Sequence, residues 1–193
     1  MRERLLLLLV ATAVVLAAGC GGDDAADGSE GGAADLPGAL PSGIAFEEAP
    51  ATAVPAPEFS AELVDGTPVE ASDLWDDRPV VLVFTASWCE RCAEVHRQAA
   101  EVVAEHEGVG LLGVVPADDA EGAREYADDL QLGHPVAVAG GDVWLSYAVR
   151  EPPAVVLVAP GGKVLRGWPG GVDPPILAGH LDDLARNPGS QGP

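Results

Sequence analysis

Two cysteines separated by two residues, Cys89 and Cys92, are the chemically most informative feature of the chain. An apolar run over 80–85 precedes them and predicts a strand, and the apolar residues over 90–106 recur at helical spacings of three and four. The unpaired N–H groups and the dipole at a helix N-terminus favour an anion, so we expect a stabilised thiolate at Cys89 that attacks disulfides. Cys92, one turn later on the buried face, would then attack the mixed disulfide and release the product.

Two other interpretations of the cysteine pair are weaker. A zinc site would need two further ligands, and the four histidines of the chain stand without ligand spacing. These histidines are His96, His106, His134 and His180. A structural disulfide would close a loop of only four residues and would therefore contribute little stability. The pattern favours a redox-active pair, so we predict no metal site and no bound cofactor.

The two residues between the cysteines, Glu90 and Arg91, act in opposite directions on the thiolate of Cys89. The guanidinium of Arg91 favours the thiolate, whereas the carboxylate of Glu90 opposes it. The sequence therefore does not fix the reduction potential, and a reductase, an oxidase and an isomerase all agree with it.

The segments around the cysteines alternate between strands and helices. Helices between strands imply parallel crossovers, whereas two strands joined through Gly161-Gly162 imply an antiparallel edge. Asp65-Gly66 between two short strands predicts a β-hairpin. The predicted strands are 59–63, 67–70, 80–85, 109–115, 136–139, 154–159 and 163–168, and the predicted helices are 90–106, 120–130, 143–148 and 173–186.

Two stretches of this pattern resemble the TlpA/ResA-like redoxins, which are exported thiol–disulfide oxidoreductases. The first is Ala86-Ser87-Trp88-Cys89-Glu90-Arg91-Cys92 with its approach, Asp73-Leu74-Trp75 and Pro79-Val80-Val81-Leu82-Val83-Phe84. The second is Tyr147-Ala148-Val149-Arg150-Glu151-Pro152-Pro153-Ala154-Val155-Val156-Leu157-Val158. The resemblance covers 58–187 and implies an α/β thioredoxin fold, with a central mixed sheet flanked by helices and an N-terminal β-hairpin.

The resemblance also implies roles for residues around the cysteines. Pro153 corresponds to a cis-proline that packs against the cysteine pair in the family. Trp88, Glu90 and Arg91 would support the active site. Pro152 would lie in the loop that pairs its backbone with a substrate strand, but a proline has no N–H to donate there.

Three further positions depart from the family pattern. Val83 stands where a buried acid or amide is common, Val95 where a glutamate is common, and Arg97 where a helix-kinking proline is common. The first two departures leave no obvious acid that would manage the proton of Cys92.

The charge of the chain excludes one class of partner. Ten Lys and Arg residues stand against 31 Asp and Glu residues, which gives a formal net charge of −21. Nucleic acids and anionic lipid surfaces are held mainly by basic patches, so we predict that this chain binds no nucleic acid.

The N-terminus has the pattern of an export signal. A positive start is followed by an apolar run over 5–18, which is too short to span a bilayer comfortably, so we predict a signal peptide over 1–19. Leu16-Ala17-Ala18-Gly19-Cys20 resembles a bacterial lipobox, which implies that Cys20 is lipidated. A retained membrane anchor and an ordinary cleavage site are the alternatives. Residues 20–57 are rich in Gly, Ala, Asp and Pro and predict a disordered linker, and 188–193 predict a disordered tail.

Together these features predict an extracytoplasmic thiol–disulfide oxidoreductase, lipid-anchored to the cell membrane, with Cys89 and Cys92 as its catalytic residues. The resemblance implies disulfide-containing exported proteins as substrates and a membrane protein as electron donor. A thiol peroxidase is the nearest alternative enzyme, but Ala86 and Leu82 stand where its motif needs a hydroxyl residue and a proline. A non-catalytic lipoprotein that binds a metal or a substrate is the other alternative.

Overall fold

A computed structural model of the protein describes residues 30–185. The predictions for 1–29 and 186–193, which include the signal peptide, the lipidation of Cys20 and the C-terminal tail, lie outside the described residues. No helix among the described residues is long and apolar enough to cross a membrane.

The core of the fold is a mixed sheet of eight strands in the order β1-β8-β7-β4-β5-β6-β2-β3. The central strands β4, β5 and β6 are parallel, whereas β7 and β8 on one side and β2 and β3 on the other pair antiparallel. The strands are β1 Val54–Pro55, β2 Ser60–Leu63, β3 Pro68–Glu70, β4 Val80–Phe84, β5 Gly110–Pro116, β6 Val136–Ala139, β7 Ala154–Ala159 and β8 Lys163–Pro169.

Helices cover both faces of this sheet. They are α1 Ala71–Leu74, α2 Cys92–Ala104, α3 Ala120–Leu130, α4 Gly141–Ser146 and α5 Pro174–Leu184. All five residues of β4 are buried because α2 and α5 cover one face and the Trp75 and Trp144 side chains cover the other. Such double coverage requires a continuous apolar strand, which the Val80–Phe84 sequence provides. The α/β thioredoxin fold with an N-terminal hairpin is confirmed.

The largest local difference from the predicted elements lies at the catalytic segment. The predicted helix over 90–106 begins at Cys92 in the structure, and Cys89 lies in the turn before it. The N–H of Cys92 donates to the carbonyl of Cys89 at 3.0 Å, which closes that turn. Cys89 therefore faces the first turn of α2 from outside the helix.

Residues 30–57, predicted as part of a disordered linker, lie against the domain in the structure. Phe46 is buried against the α2 and α5 side of the sheet and forms a bridge to Ala185, and β1 adds a short edge to β8. The guanidinium of Arg78 donates to the carbonyl of Gly38 at 2.8 Å. Leu40, Ile44 and Phe46 come together around Gly108, whereas Val54 is exposed, so the apolar residues of this segment need no regular period.

The carboxylate of Asp65 holds one end of this segment. It accepts the N–H of Ala33 at 2.7 Å and that of Thr67 at 2.9 Å. Partial burial would raise the pKa of Asp65, but these backbone hydrogen bonds outweigh burial and lower it. The hairpin turn at Asp65-Gly66 thus also fixes the N-terminal segment.

Candidate active site

The two cysteines form a disulfide at the end of β4, and the two sulfurs face different surroundings. The Cα atoms of Cys89 and Cys92 lie 5.3 Å apart. Cys89 is partly exposed, whereas Cys92, the first residue of α2, is completely buried. An incoming thiolate or disulfide can therefore reach Cys89 first, as the order of the two residues in the sequence predicts.

A carboxylate on the neighbouring α3 side fixes the loop before Cys89. Asp119 accepts the N–H of Ser87 at 2.7 Å and its hydroxyl at 2.6 Å. Two bonds from one carboxylate to one residue hold both the backbone and the side chain of the loop. The sequence analysis missed this contact because Ser87 and Asp119 lie 32 residues apart in the chain.

The residues between the cysteines lie at the surface. Glu90 and Arg91 are both exposed, and the guanidinium of Arg91 donates to the carbonyl of Gly170 at 3.2 Å. That bond ties the catalytic turn to the end of β8. Arg91 therefore holds the turn between the cysteines against the end of β8 in the oxidised protein.

The second predicted part of the site is the loop before β7. The Pro152–Pro153 peptide bond is cis, as the resemblance implied for Pro153. The carbonyl of Pro153 accepts the N–H of Gly170 at 2.8 Å, so this loop and the end of β8 are fixed to each other. Pro153 is buried, and Pro152 is partly exposed beside it.

A groove connects the cysteines to this loop. It has a volume of about 1000 Å³ and is lined by Cys89, by the 147–156 segment and by the end of β8 over 167–170. Pro152 and Pro153 line it together with Arg91, so the structure brings these predicted site residues to one place. The volume of the groove lies at the upper end of the range for ligand-binding clefts, and Cys89 is one of the residues that line it.

Trp88, beside Cys89 in sequence, and Leu145 on α4 are two of the four large apolar residues exposed in the described part of the chain. Trp88 is 68% exposed and Leu145 is 73% exposed. An exposed tryptophan is unfavourably solvated in the free protein, and its burial against a partner is therefore favourable. Trp88 does not line the groove itself.

The buried side of the site holds polar groups that the sequence analysis did not assign. His96 is completely buried one turn after Cys92, its Nδ1 lies 3.1 Å from the Tyr126 hydroxyl, and its Nε2 lies 2.7 Å from Nε2 of His134. Burial lowers the pKa of His96 well below its ordinary value, with a smaller effect of His134 in the same direction. Burial also lowers the pKa of His134 to about 4.

The signal that could have found His96 is its position. A histidine four residues after Cys92 lies on the same apolar face of the helix, where a polar group needs a partner. Its partners, Tyr126 and His134, lie 30 and 38 residues further along the chain, so spacing alone could not reveal them. Among the described residues, no group of three or more His, Cys, Asp or Glu side chains comes together that could hold a metal ion.

An accessible sulfur, a buried sulfur in the same turn and a substrate-sized groove define a thiol–disulfide oxidoreductase with a thioredoxin fold. The chain belongs to the AhpC/TSA family, whose pattern matches residues 52–166.

Two curated relatives and one solved structure agree with this class. The chain is 28% identical over 137 residues to the thiol-disulfide oxidoreductase ResA of Oceanobacillus iheyensis, and the matched region covers 67% of this chain and 71% of that protein. It is 25% identical over 152 residues to the thiol:disulfide interchange protein HelX of Rhodobacter capsulatus, covering 77% and 81%. The exposed lipoprotein thioredoxin Etrx1 of Streptococcus pneumoniae superposes with a TM-score of 0.55 at 26% identity, covering 66% of this chain and all of that one.

Proposed function

We propose that the protein reduces disulfides of exported proteins through Cys89 and Cys92. The observation that carries this proposal is the opposite exposure of the two cysteines, of which the partly exposed Cys89 lines a groove and Cys92 is buried. In the reduced protein, the Cys89 thiolate attacks a substrate disulfide and forms a mixed disulfide. The Cys92 thiolate then attacks the Cys89 sulfur, the substrate leaves as a dithiol, and two electrons have passed to it.

In this proposal the substrate is an extended disulfide-containing segment that lies along the groove. A segment lying along 147–153 meets the carbonyl of Pro152 but no N–H at that residue. Arg150 and Glu151 line the same groove with opposite charges, so it offers little net charge for selection. Trp88 supplies apolar contact area next to the reacting sulfur.

The place of action in this proposal is the extracytoplasmic face of the membrane. The signal pattern over 1–19 and the lipobox-like Leu16–Cys20 segment support a diacylated Cys20 as the mature N-terminus. A membrane protein would return electrons to the Cys89–Cys92 disulfide after each turnover. Intact-mass analysis of membrane-extracted protein should show the signal peptide lost and lipid added, whereas an unlipidated product that retains Gly19 would contradict the anchor.

The proposed activity is tested with two assays on the purified chain. We expect the reduced protein to reduce insulin disulfides. We also expect the reduction potential of the Cys89–Cys92 pair to be low enough for the pair to donate electrons to substrate disulfides. Peroxide consumption is measured in parallel as the control for a thiol peroxidase. Insulin left intact while peroxide is consumed would overturn the proposal.

A further inference from the structure

The groove beside Cys89 continues past the cysteine turn onto one face of the sheet. It is lined by 154–156 of β7 and by 167–170 at the end of β8. Gly167 pairs with Val156 across these two strands, and directly opposite residues of an antiparallel pair lie on the same face. At this point the groove therefore has a side chain on β7 and none on β8.

Gly167 leaves open space over the sheet. A Cβ atom added to it would have no atom of the described residues within 4 Å, apart from those of its own neighbours in the chain. Gly167 itself is exposed, whereas Val156 opposite it is buried. The space over this position is thus accessible to a molecule that enters the groove.

The fold does not require a glycine at this position. The φ angle of Gly167 lies outside the left-handed region, so a residue with a side chain can adopt the same backbone conformation. The irregularity of the β7–β8 pairing falls between Leu157 and Val158, whereas 166–169 pair in regular register. A glycine inside a strand weakens it and marks a bulge, a bend, or a place where another backbone or a ligand comes close. Regular pairing and open space exclude all of these except a ligand.

The groove offers fixed apolar surface in addition to this space. The ring of Tyr147 packs edge-on against Phe59 at 6.1 Å, and its hydroxyl donates to the carbonyl of Pro57 at 2.7 Å. Val149 and Val156 line the groove as well, and they belong to the apolar cluster on which Tyr147 packs. Because the Tyr147 proton is already engaged, these residues offer a ligand mainly apolar contact.

Gly167 lies only a few residues of extended chain away from the cysteines. The guanidinium of Arg91 bonds to the carbonyl of Gly170, so the end of β8 adjoins the cysteine turn. Gly167 lies three residues back along β8, which is roughly 10 Å at the rise of a strand. An extended substrate that reacts at Cys89 and follows β8 therefore places over Gly167 a side chain about two to four residues from its own cysteine.

We propose that Gly167 is a specificity-determining residue that opens the groove to a bulky apolar side chain of the substrate. This inference rests on the proposed disulfide exchange and names the class of segment on which that exchange acts. The favoured substrates are extended segments with a residue such as leucine or phenylalanine close to the reacting cysteine. Such side chains are mostly buried once a protein has folded, so this preference selects chains that have not yet folded.

The preference is measured with unstructured peptides whose single cysteine is joined by a disulfide to a small thiol. Each peptide carries one phenylalanine within about four residues of the cysteine, on either side, and alanine at the other positions. The second-order rate constant with the reduced protein is compared with that of the all-alanine peptide. We expect the wild type to favour phenylalanine by about tenfold at the position that reaches Gly167, because that is the effect of partly burying one large apolar side chain.

The variant that tests the residue is Gly167→Val. Valine fills the open space and suits a strand, so the variant should be at least as stable toward urea as the wild type. We expect the ratio of the phenylalanine rate to the alanine rate to fall to about twofold or less, as the apolar contact is lost. This ratio does not respond to a general loss of activity.

Gly179→Val is the matched control. Gly179 is exposed on α5 outside the groove, and in the described part of the chain an added Cβ would again meet no atom within 4 Å beyond the backbone of its own helix. This variant should keep the wild-type ratio.

A wild type that shows no preference among the peptides would overturn the proposal, and so would a Gly167→Val protein that keeps the wild-type ratio. A Gly167→Val protein that is less stable than the wild type would show that the fold requires the glycine, which also overturns it. A wild type that reduces neither the peptides nor a small non-peptide disulfide would instead overturn the proposed disulfide exchange, so the two failures are distinguishable.

Discussion

The two sides of the Cys89–Cys92 disulfide are built from different kinds of residue. On the Cys89 side lie an open groove, the exposed Trp88 and a loop shaped by prolines. On the Cys92 side, one turn further along α2, His96 is buried and hydrogen-bonded to Tyr126 and to His134, which is partly exposed. The disulfide therefore lies between an open groove and a mostly buried polar cluster.

This difference separates two requirements of disulfide exchange. The first sulfur must meet the substrate, so its surroundings are accessible, while Asp119 and the carbonyl of Gly170 fix the backbone on either side of it. The second sulfur meets only the first, so it can be closed off from water, and its proton then needs a route through the protein. Changes on the Cys92 side should alter proton-dependent properties, and changes on the Cys89 side should alter rates toward particular substrates.

The largest expected effect is a loss of stability at acid pH, and it arises on the Cys92 side of the disulfide. Burial holds His134 neutral in the folded protein, with its pKa at about 4 against an ordinary 6.5, whereas the unfolded chain protonates it near 6.5. The unfolded state thus binds more protons between these values, so the stability is complete above about pH 6.5 and falls as the pH falls toward 4. We expect a loss of about 2 kcal/mol in unfolding free energy between pH 7 and about pH 5 from His134 alone, measured by urea unfolding.

His134→Gln is the matched variant for this measurement. It should remove most of that pH dependence, while His106→Gln should leave it in place. A wild type equally stable at both pH values would show that His134 takes up its proton in the folded protein as readily as in the unfolded chain, so that burial does not hold it neutral.

A smaller effect is expected on the Cys89 side from Pro152→Val. The change restores an N–H in the groove, and one net hydrogen bond is worth about 0.5–1.5 kcal/mol, so the rate toward unstructured disulfide peptides should rise roughly three- to tenfold. The reduction potential of the cysteine pair should change little. Stopped-flow kinetics on one model peptide measure the effect, and a small non-peptide disulfide serves as the control whose rate should stay the same.

If Pro152 only stiffens the loop, Pro152→Val will leave the peptide rate unchanged or lower it through added loop entropy. That result would show that substrates do not pair with the backbone at this position. NMR of both proteins establishes that Pro153 is cis in each, so that the comparison concerns the N–H alone.

The sequence predicts the Cys89 side better than the Cys92 side for a physical reason. The cysteine spacing, the apolar strand over 80–84 and the helix that follows are local patterns, and each specifies its own structure. The predicted bounds of α3, β6 and β7 agree with the structure at both ends. The polar cluster depends instead on where α3 and the loop before β6 cross α2, and no local pattern encodes that crossing.

The N-terminal segment over 30–57 shows the same limit in another form. Its composition predicts disorder because it cannot form a core by itself. Phe46 and Ala56 are nevertheless buried, because they pack against two different apolar clusters of the folded domain. Composition describes what a segment can do alone, and here the segment packs on a surface formed by residues that follow it.

The most direct test of the contrast between the two sulfurs is the order in which they react. The reduced protein is treated with substoichiometric iodoacetamide, and the modified residue is located by mass spectrometry, with Cys92→Ser and Cys89→Ser compared on a disulfide peptide. The account predicts that Cys89 is alkylated first, that Cys92→Ser accumulates mixed disulfides with the peptide, and that Cys89→Ser forms none. Alkylation of Cys92 before Cys89, with mixed disulfides on Cys92 in the Cys89→Ser protein, would contradict it.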